Sequence, residues 1–407
     1  MRKARKFGKS IVIGVFVIAI LPVCARNVFA FQQQPAQTEE HPSSPATEQR
    51  QELAAEERAW QEYLHIHPDS AIAYANLGLL ASGRGRYTEA INMYRKALSL
   101  DSMIPGLKMN LGLALFKSGD FKSAAHVFAP MLQELPPGSA DAQRINVLIG
   151  MSYFALSDAR SIPYLEEATK QDPKSRELRL VLAQSCLKAK QLECVLQAYR
   201  EILNLGADSA EADMLAGEAL DEMNDTAGAL EQFRSAARID SREPNVHFGV
   251  GFLLWKLKRY GEASNEFENE LAYTPANYQA LTYLGDCKIK VADYAAALDV
   301  LQRADKINAN IEIVHLDLGI LFMQDQRRQD ALRELQLAEQ LNPADRSVHW
   351  ELGNLYKAMG MKDKAVSEFE ITDKLIRQSD ETVLNKLQGA GNVVSGPPMS
   401  NTSALHN

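Results

Sequence analysis

A small residue recurs directly behind an apolar one nine times along this chain of 407 residues, at a nearly constant interval. The small residues are Gly78, Gly112, Gly150, Ala183, Gly217, Gly251, Gly285, Gly319 and Gly353, and the gaps between them are 34, 38, 33, 34, 34, 34, 34 and 34. Each follows Leu77, Leu111, Ile149, Leu182, Ala216, Val250, Leu284, Leu318 or Leu352. Twelve positions after most of them stands another small residue: Ala90, Ala124, Ala229, Ala263, Ala297, Ala331 and Ala365. Four further on comes a bulky one: Tyr94, Phe128, Tyr199, Phe233, Phe267, Leu301, Leu335 or Phe369. Pro136, Pro173, Pro275 and Pro343 close several copies. A period of this length defines a supersecondary unit that cannot bury its apolar face alone, so the copies must share one core by stacking.

Within a copy the pattern predicts two antiparallel helices joined by a short turn, such as Ser82-Gly83-Arg84-Gly85 or Lys117-Ser118-Gly119-Asp120. Small residues such as Gly78 and Ala90 are expected to meet where the helices cross, and the bulky residues to fill the space between neighbouring copies. The order of residues and the period resemble the tetratricopeptide repeat. The resemblance covers nine copies over residues 71–377 and implies an all-α, right-handed α-solenoid of helix-turn-helix units. Trp60, Tyr63 and Pro68 fall in the places of second-helix residues in the same register, so a capping helix is expected over 48–70. Copies three and four depart from the pattern. Pro136-Pro137-Gly138-Ser139 lengthens one connection by four residues, and Pro163 falls near the start of a shortened second helix, where a first-turn proline is tolerated. A change of curvature there, or a joint between two sub-arrays, is the expectation.

The two ends have a different composition. Met1 to Lys9 is basic, Ile11 to Leu21 is apolar, and Val28-Phe29-Ala30 offers short residues before a cut after Ala30. This order predicts a signal peptide over 1–30 and an exported protein, periplasmic or secreted. An uncleaved anchor, or a lipoprotein modified at Cys24 of Leu21-Pro22-Val23-Cys24, are the alternatives. Residues 31–47 read as a disordered linker and 378–407 as a disordered tail rich in Gly, Ser, Pro and Asn. No second apolar stretch is long enough to span a membrane once the signal is removed. The first thirty residues hold six basic and no acidic residues; without them 38 basic face 52 acidic residues, a charge of −14. Such a chain lacks the basic stripe that nucleic acid requires.

Catalytic constellations are missing from the sequence. It holds no Gly-rich phosphate loop, no His-Glu-x-x-His, no Gly-x-Ser-x-Gly and no Cys-x-x-Cys, and the register leaves no insertion large enough for a catalytic domain. An enzyme, a cofactor and a metal are therefore not expected. His247, His315 and His349 share the fourth place of their repeats and read as packing residues with satisfied ring nitrogens. Cys186 and Cys194 flank the turn of the fourth copy and are either a disulfide or two buried thiols, while Cys287 reads as a core thiol. Glu211, Glu218, Asp221 and Glu222 along one first helix read as a solvated face or as a contact for a cation or basic peptide.

The resemblance also implies a partner-binding groove, because in this family the first helices line the concave face through places 2, 5, 9, 12 and 13. Carried onto this chain, those places hold Met109, Leu113 and Phe116, then Val147, Met151 and Phe154, then Leu180 and Leu187. They continue with Phe248, Phe252 and Trp255, then Leu316, Ile320 and Met323, then Trp350. Lys117, Lys188, Lys256 and Lys290 recur at place 13 as a basic edge. The implied ligand is a protein or peptide segment with apolar anchors and acidic flanks. Ala75 and Leu79 stand where chaperone-binding members carry Lys and Asn, so a chaperone terminus is not the implied ligand. A self-associating structural module and a regulatory subunit of a separately encoded envelope enzyme are the alternative readings.

Overall fold

The structure, a computed structural model, describes residues 45–206 and 209–391. The expected signal peptide with Cys24, the linker as far as residue 44 and the tail beyond Gly391 lie outside the described residues. The described residues form helices and no strands. The chain divides between Glu243 and Pro244 into two compact units.

In the first unit, α1 (Pro45–Ile66) packs on α2, the first helix of the first repeat. Five helical hairpins follow: α2 (Ala71–Gly83) with α3 (Tyr87–Leu100), α4 (Leu107–Lys117) with α5 (Phe121–Glu134), α6 (Ala140–Ala155) with α7 (Ser161–Gln171), α8 (Arg176–Lys188) with α9 (Leu192–Asn204), and α10 (Ala210–Glu222) with α11 (Thr226–Ile239). The second unit has four: α12 (Val246–Lys256) with α13 (Tyr260–Tyr273), α14 (Tyr278–Lys290) with α15 (Tyr294–Ile307), α16 (Glu312–Gln324) with α17 (Arg328–Leu341), and α18 (Arg346–Ala358) with α19 (Lys362–Gly391). Within each unit every hairpin packs on the next.

One close contact sets the spacing inside each hairpin. A Cβ built on Gly78 would lie 2.6 Å from the Tyr94 ring, and one on Gly112 2.4 Å from the Phe128 ring. The corresponding distances are 2.9 Å from Gly251 to Phe267, 2.5 Å from Gly285 to Leu301 and 2.6 Å from Gly319 to Leu335. The bulky residue thus sits over the glycine of its own hairpin and is buried there, as Tyr94, Phe128 and Phe267 are. This corrects the expectation that glycine faces the alanine and that the bulky residues serve mainly the space between repeats. The alanine lies beside the contact, with the Ala229 carbonyl 3.3 Å from a Cβ on Gly217.

The turns repeat as exactly as the core does in their backbone conformation. Seven residues after each small residue the chain enters the left-handed region, at Gly85, Gly119, Ser157, Lys190, Asn224, Lys258, Ala292, Gln326 and Gly360. The next N–H then reaches back across the helix end, as from Asp120 to the Leu115 carbonyl at 3.0 Å and from Arg327 to the Phe322 carbonyl at 2.8 Å. This is a Schellman closure, which satisfies carbonyls that the helix end leaves open. Side chains cap the other ends. Ser70, Ser139, Ser175, Ser209, Asn277 and Asp345 accept from first-helix N–H groups, and Asp120, Asp225 and Asp293 from second-helix ones.

Several boundaries differ from the sequence expectation. The capping helix begins at Pro45 rather than 48, because a proline in the first turn gives up no intrahelical hydrogen bond. Glu57 of that helix pairs with Arg84 and, at 2.5 Å, with Arg86 of the first turn, tying the cap to the first repeat. The last helix runs past Gln378 to Gly391 instead of ending in a tail; its added stretch holds no proline, and its first glycine is Gly389. The lengthened connection before α6 makes no joint: Gly138 takes φ 77° and Ser139 caps the helix, so repeats two and three still pack together.

Replacing Gly251 by Leu forces α12 and α13 apart and is expected to destabilise the protein by about 1–3 kcal/mol, read as a lower melting temperature. An unchanged melting temperature would contradict the packing described. Replacing Ala292, which holds φ 63°, by Gly is expected to raise stability by roughly 0.5–1 kcal/mol in urea unfolding, since glycine accepts that conformation without strain.

Candidate partner-binding surface

The first helices carry the residues that sequence reasoning assigned to a groove, and the structure sorts them by depth. In the first unit Met109, Leu113 and Phe116 on α4, Val147 and Met151 on α6, and Leu187 on α8 are half-buried. Phe154 is 7% exposed and Leu180 is buried too, so these two belong to the core. In the second unit Phe248 is 4% exposed and Leu316 1% exposed, and they too are core residues rather than groove residues. The reason is geometric. Phe154 and Leu180 pack in one buried apolar cluster, and in the second unit the successive first helices α12, α14, α16 and α18 touch one another, which covers Phe248 and Leu316. Phe252, Trp255, Ile320 and Met323 at places 9 and 12 stay half-buried, while Trp350, which shares place 5 with Phe248 and Leu316, is 48% exposed.

In the second unit an aromatic cluster anchors this face. Phe252 and Trp255 stack at 5.9 Å between ring centroids, and both meet the Tyr283 ring edge-on, at 5.3 and 5.1 Å. Trp255 Nε1 donates to Asp286 Oδ2 at 2.6 Å, and Lys290 Nζ donates to Asp286 Oδ1 at 3.0 Å. Asp286 is buried, at 1% exposure, so its charge is neutralised by Lys290 rather than by water. The network locks the indole in one orientation and leaves its face partly open. Sequence reasoning missed Tyr283 and Asp286. The signal was available for Asp286, an acid at place 9, where Leu113, Met151, Phe252 and Ile320 are apolar.

The four lysines do not form one uniform basic edge. Lys117 and Lys256 are exposed, with Nζ 5.9 Å from the Tyr87 and Phe252 ring centroids. Lys188 is half-buried, with Nζ 4.5 Å from the Phe154 ring centroid, and burial lowers its ammonium below the ordinary lysine range. Lys290 is committed to Asp286. The acidic run on α10 is no simple solvated face either. Glu211, Glu218, Asp221 and Glu222 are half-buried, Gln184 donates to Glu211 at 2.8 Å, and Lys190 pairs with Glu222. Burial, reinforced by Glu222, pushes the Glu218 carboxyl up to about 8.

The cysteines and histidines are structural in character. Cys186 and Cys194 are joined by a disulfide across the α8–α9 turn, with Cα atoms 5.9 Å apart. Cys287 is a free buried thiol that burial pushes up to about 12, so it stays protonated and unreactive. His247, His315 and His349 each place Nδ1 within 2.7–2.8 Å of a glutamate on the second helix of the same hairpin.

Comparison with known proteins agrees with the repeat. The tetratricopeptide-repeat family profile matches residues 53–102, 76–140 and 252–310. Anaphase-promoting complex subunit 3 of Schizosaccharomyces pombe is 24% identical over 234 residues, which is 56% of this chain and 35% of that protein. A probable biofilm formation methyltransferase, WspC, of Pseudomonas putida is 35% identical over 114 residues, 26% of this chain and 25% of that protein. The chain therefore spans about a third or less of the length of these relatives. Among solved structures, the Cut9–Hcn1 hetero-tetramer of the anaphase-promoting complex superposes with a TM-score of 0.47 at 16% identity, over 77% of this chain and 60% of that one. Residues 53–140 and 252–310 thus match the tetratricopeptide-repeat profile, and the all-helical repeat fold is a scaffold suited to protein–protein interaction.

Reducing the Cys186–Cys194 bond opens a short loop and is expected to cost roughly 2–3 kcal/mol of stability in the first unit, measured as the difference in urea unfolding with and without reductant.

Proposed function

We propose that this chain is a non-enzymatic scaffold that binds a segment of another protein along the first-helix faces of its repeats. The observation that carries the reading is the half-buried apolar side chains on the first helices of each unit, Met109, Leu113, Phe116 and Met151 in one and Phe252, Trp255, Ile320 and Met323 in the other, together with the exposed Trp350. Apolar surface of this extent on a folded protein marks an interaction site, and Trp is the commonest hot-spot residue. The ligand's chemistry follows from what surrounds these side chains. Exposed Lys117 and Lys256 favour acidic residues flanking apolar anchors. An extended or helical segment with that composition fits a surface built from parallel helix faces. Export to the cell envelope is part of the proposal, and the basic, apolar and small-residue order of Met1 to Ala30 supports it.

The test is photocrosslinking in cells, with the crosslinking residue placed in turn at Leu113, Ile320 and Trp350, and at the exposed second-helix residues Glu231 and Leu337 as controls. One protein crosslinked from the three first-helix positions and from neither control supports the reading. Crosslinks from the controls alone move binding to the second-helix face, and crosslinks to a second copy of this chain make it a self-associating module. Once the partner is in hand, Trp350→Ala is expected to weaken its binding about tenfold or more, with the melting temperature unchanged.

A further inference from the structure

The three histidines at the fourth place of their repeats are not equivalent to ordinary core histidines. In His315 and His349 both ring nitrogens are committed to acceptors. His315 Nδ1 lies 2.8 Å from Glu334 Oε2, and its Nε2 lies 2.8 Å from the carbonyl of Ala309. His349 repeats the arrangement, with Nδ1 2.7 Å from Glu368 Oε2 and Nε2 2.9 Å from the carbonyl of Pro343. The glutamate belongs to the second helix of the same hairpin, α17 or α19. The carbonyl belongs to the connection that arrives from the preceding repeat.

A second carboxylate faces each ring from that preceding repeat. Asp305 on α15 brings Oδ1 to 3.7 Å from His315 Nε2. Glu339 on α17 brings a carboxylate oxygen within 4.8 Å of His349 and Glu368. Each ring is therefore gripped by three elements: its own second helix, the incoming connection and the preceding second helix. The ionisable groups that act on both rings are carboxylates, Glu334 and Asp305 on one, Glu368 and Glu339 on the other. The rings themselves are buried, at 4% and 3% exposure.

Hydrogen-bond counting decides their protonation. A carbonyl oxygen only accepts, and so does an ionised carboxylate. Neutral imidazole has one N–H, so one of its nitrogens would point a lone pair at an acceptor in a site from which water is excluded. Opposite an ionised carboxylate, only imidazolium, with two N–H groups, satisfies both contacts.

We propose that His315 and His349 are held as imidazolium ions, and that their two protons clamp repeats eight and nine to the connections that precede them, making the packing of these repeats pH-dependent. The electrostatics agree. At His315 the Glu334 hydrogen bond outweighs burial and raises the ring above its ordinary range. At His349 burial is the largest influence and opposes the charge, but the Pro343 carbonyl, Glu368 and Glu339 together overcome it, and this ring is raised as well. A group raised in the folded state stabilises that state fully below its unfolded value of about 6.5, and the stabilisation is lost as pH rises through the folded value. The clamps are therefore closed in mildly acidic surroundings and weaken in alkaline ones.

The experiment uses the full chain with selectively 13C-labelled histidine, following each imidazole by NMR through a pH titration. Loss of one signal in His315→Gln and of another in His349→Gln assigns the two. An ordinary histidine is about one quarter protonated at pH 7. Both assigned rings are expected to be more protonated than that. In parallel, the urea midpoint of the wild type is expected to fall between about pH 6 and about pH 9, with a clearly smaller fall in the His315→Gln/His349→Gln double variant. Titration of either ring at or below about 6.5 overturns the proposal. So does a double variant whose midpoint keeps the wild-type pH dependence. If the double variant does not fold, the wild-type titration decides alone.

Discussion

The contact between a glycine on the first helix and a bulky side chain on the second is the constraint on which each hairpin depends. Space for the Tyr94, Phe128 or Phe267 ring exists only because the facing position has no Cβ; a methyl group there would lie within 3 Å of the ring. The contact fixes how closely two helices approach and where along their length they cross. Interiors are close-packed, so this separation leaves little freedom to the residues around it. The alanine twelve positions on is small for the same reason, since it flanks the crossing with its carbonyl.

The turn follows from that fixed crossing. Two antiparallel helices held at one distance need a reversal of one length, and the chain achieves it with a single left-handed residue followed by a Schellman closure. Glycine occupies that position in three repeats, while Ser157, Lys190, Asn224, Lys258, Ala292 and Gln326 adopt it in the others against their own preference. The tolerance of such residues shows that tertiary packing, rather than local propensity, sets the turn. Fixed turns in turn hold the fourth, fifth, ninth and twelfth places of the first helices in register from one repeat to the next within each compact unit. Register is what lets Asp286 reach back to Trp255, and what brings the Ala309 and Pro343 carbonyls to the same nitrogen of successive histidines.

Much of the fold was legible in the residues because the repeat is written in small and bulky side chains at fixed spacing. The reading of the surface was less complete. The apolar residues at places 5, 9 and 12 look alike in sequence, yet Phe248 and Leu316 are core while Ile320, Met323 and Trp350 are reachable. Apolarity marks a residue as able to be buried and does not say which neighbour covers it. Lys290, four residues after Asp286 on one helix, was legible as its partner, but the burial of that aspartate and its bond to Trp255, thirty-one residues away, were not. The joint between compact units was misplaced in the same way: proline and glycine at residues 136–138 signal a longer connection, and the packing across it remains continuous.

From its sequence alone the chain determined its helical hairpins, their count over the periodic region and the small residues that let the helices approach, since periodicity is a local property that survives translation into a helix. That the bulky residue covers the glycine was not among them. Only the tertiary structure decided which apolar residues of the first helices stay open to a partner, which charges are matched, and that His315 and His349 each face two acceptors. Those outcomes depend on residues six to thirty-one positions apart meeting in space, as the His315 carbonyl contact and the Trp255–Asp286 bond do. No pattern along the chain encodes the angle of approach that brings them together.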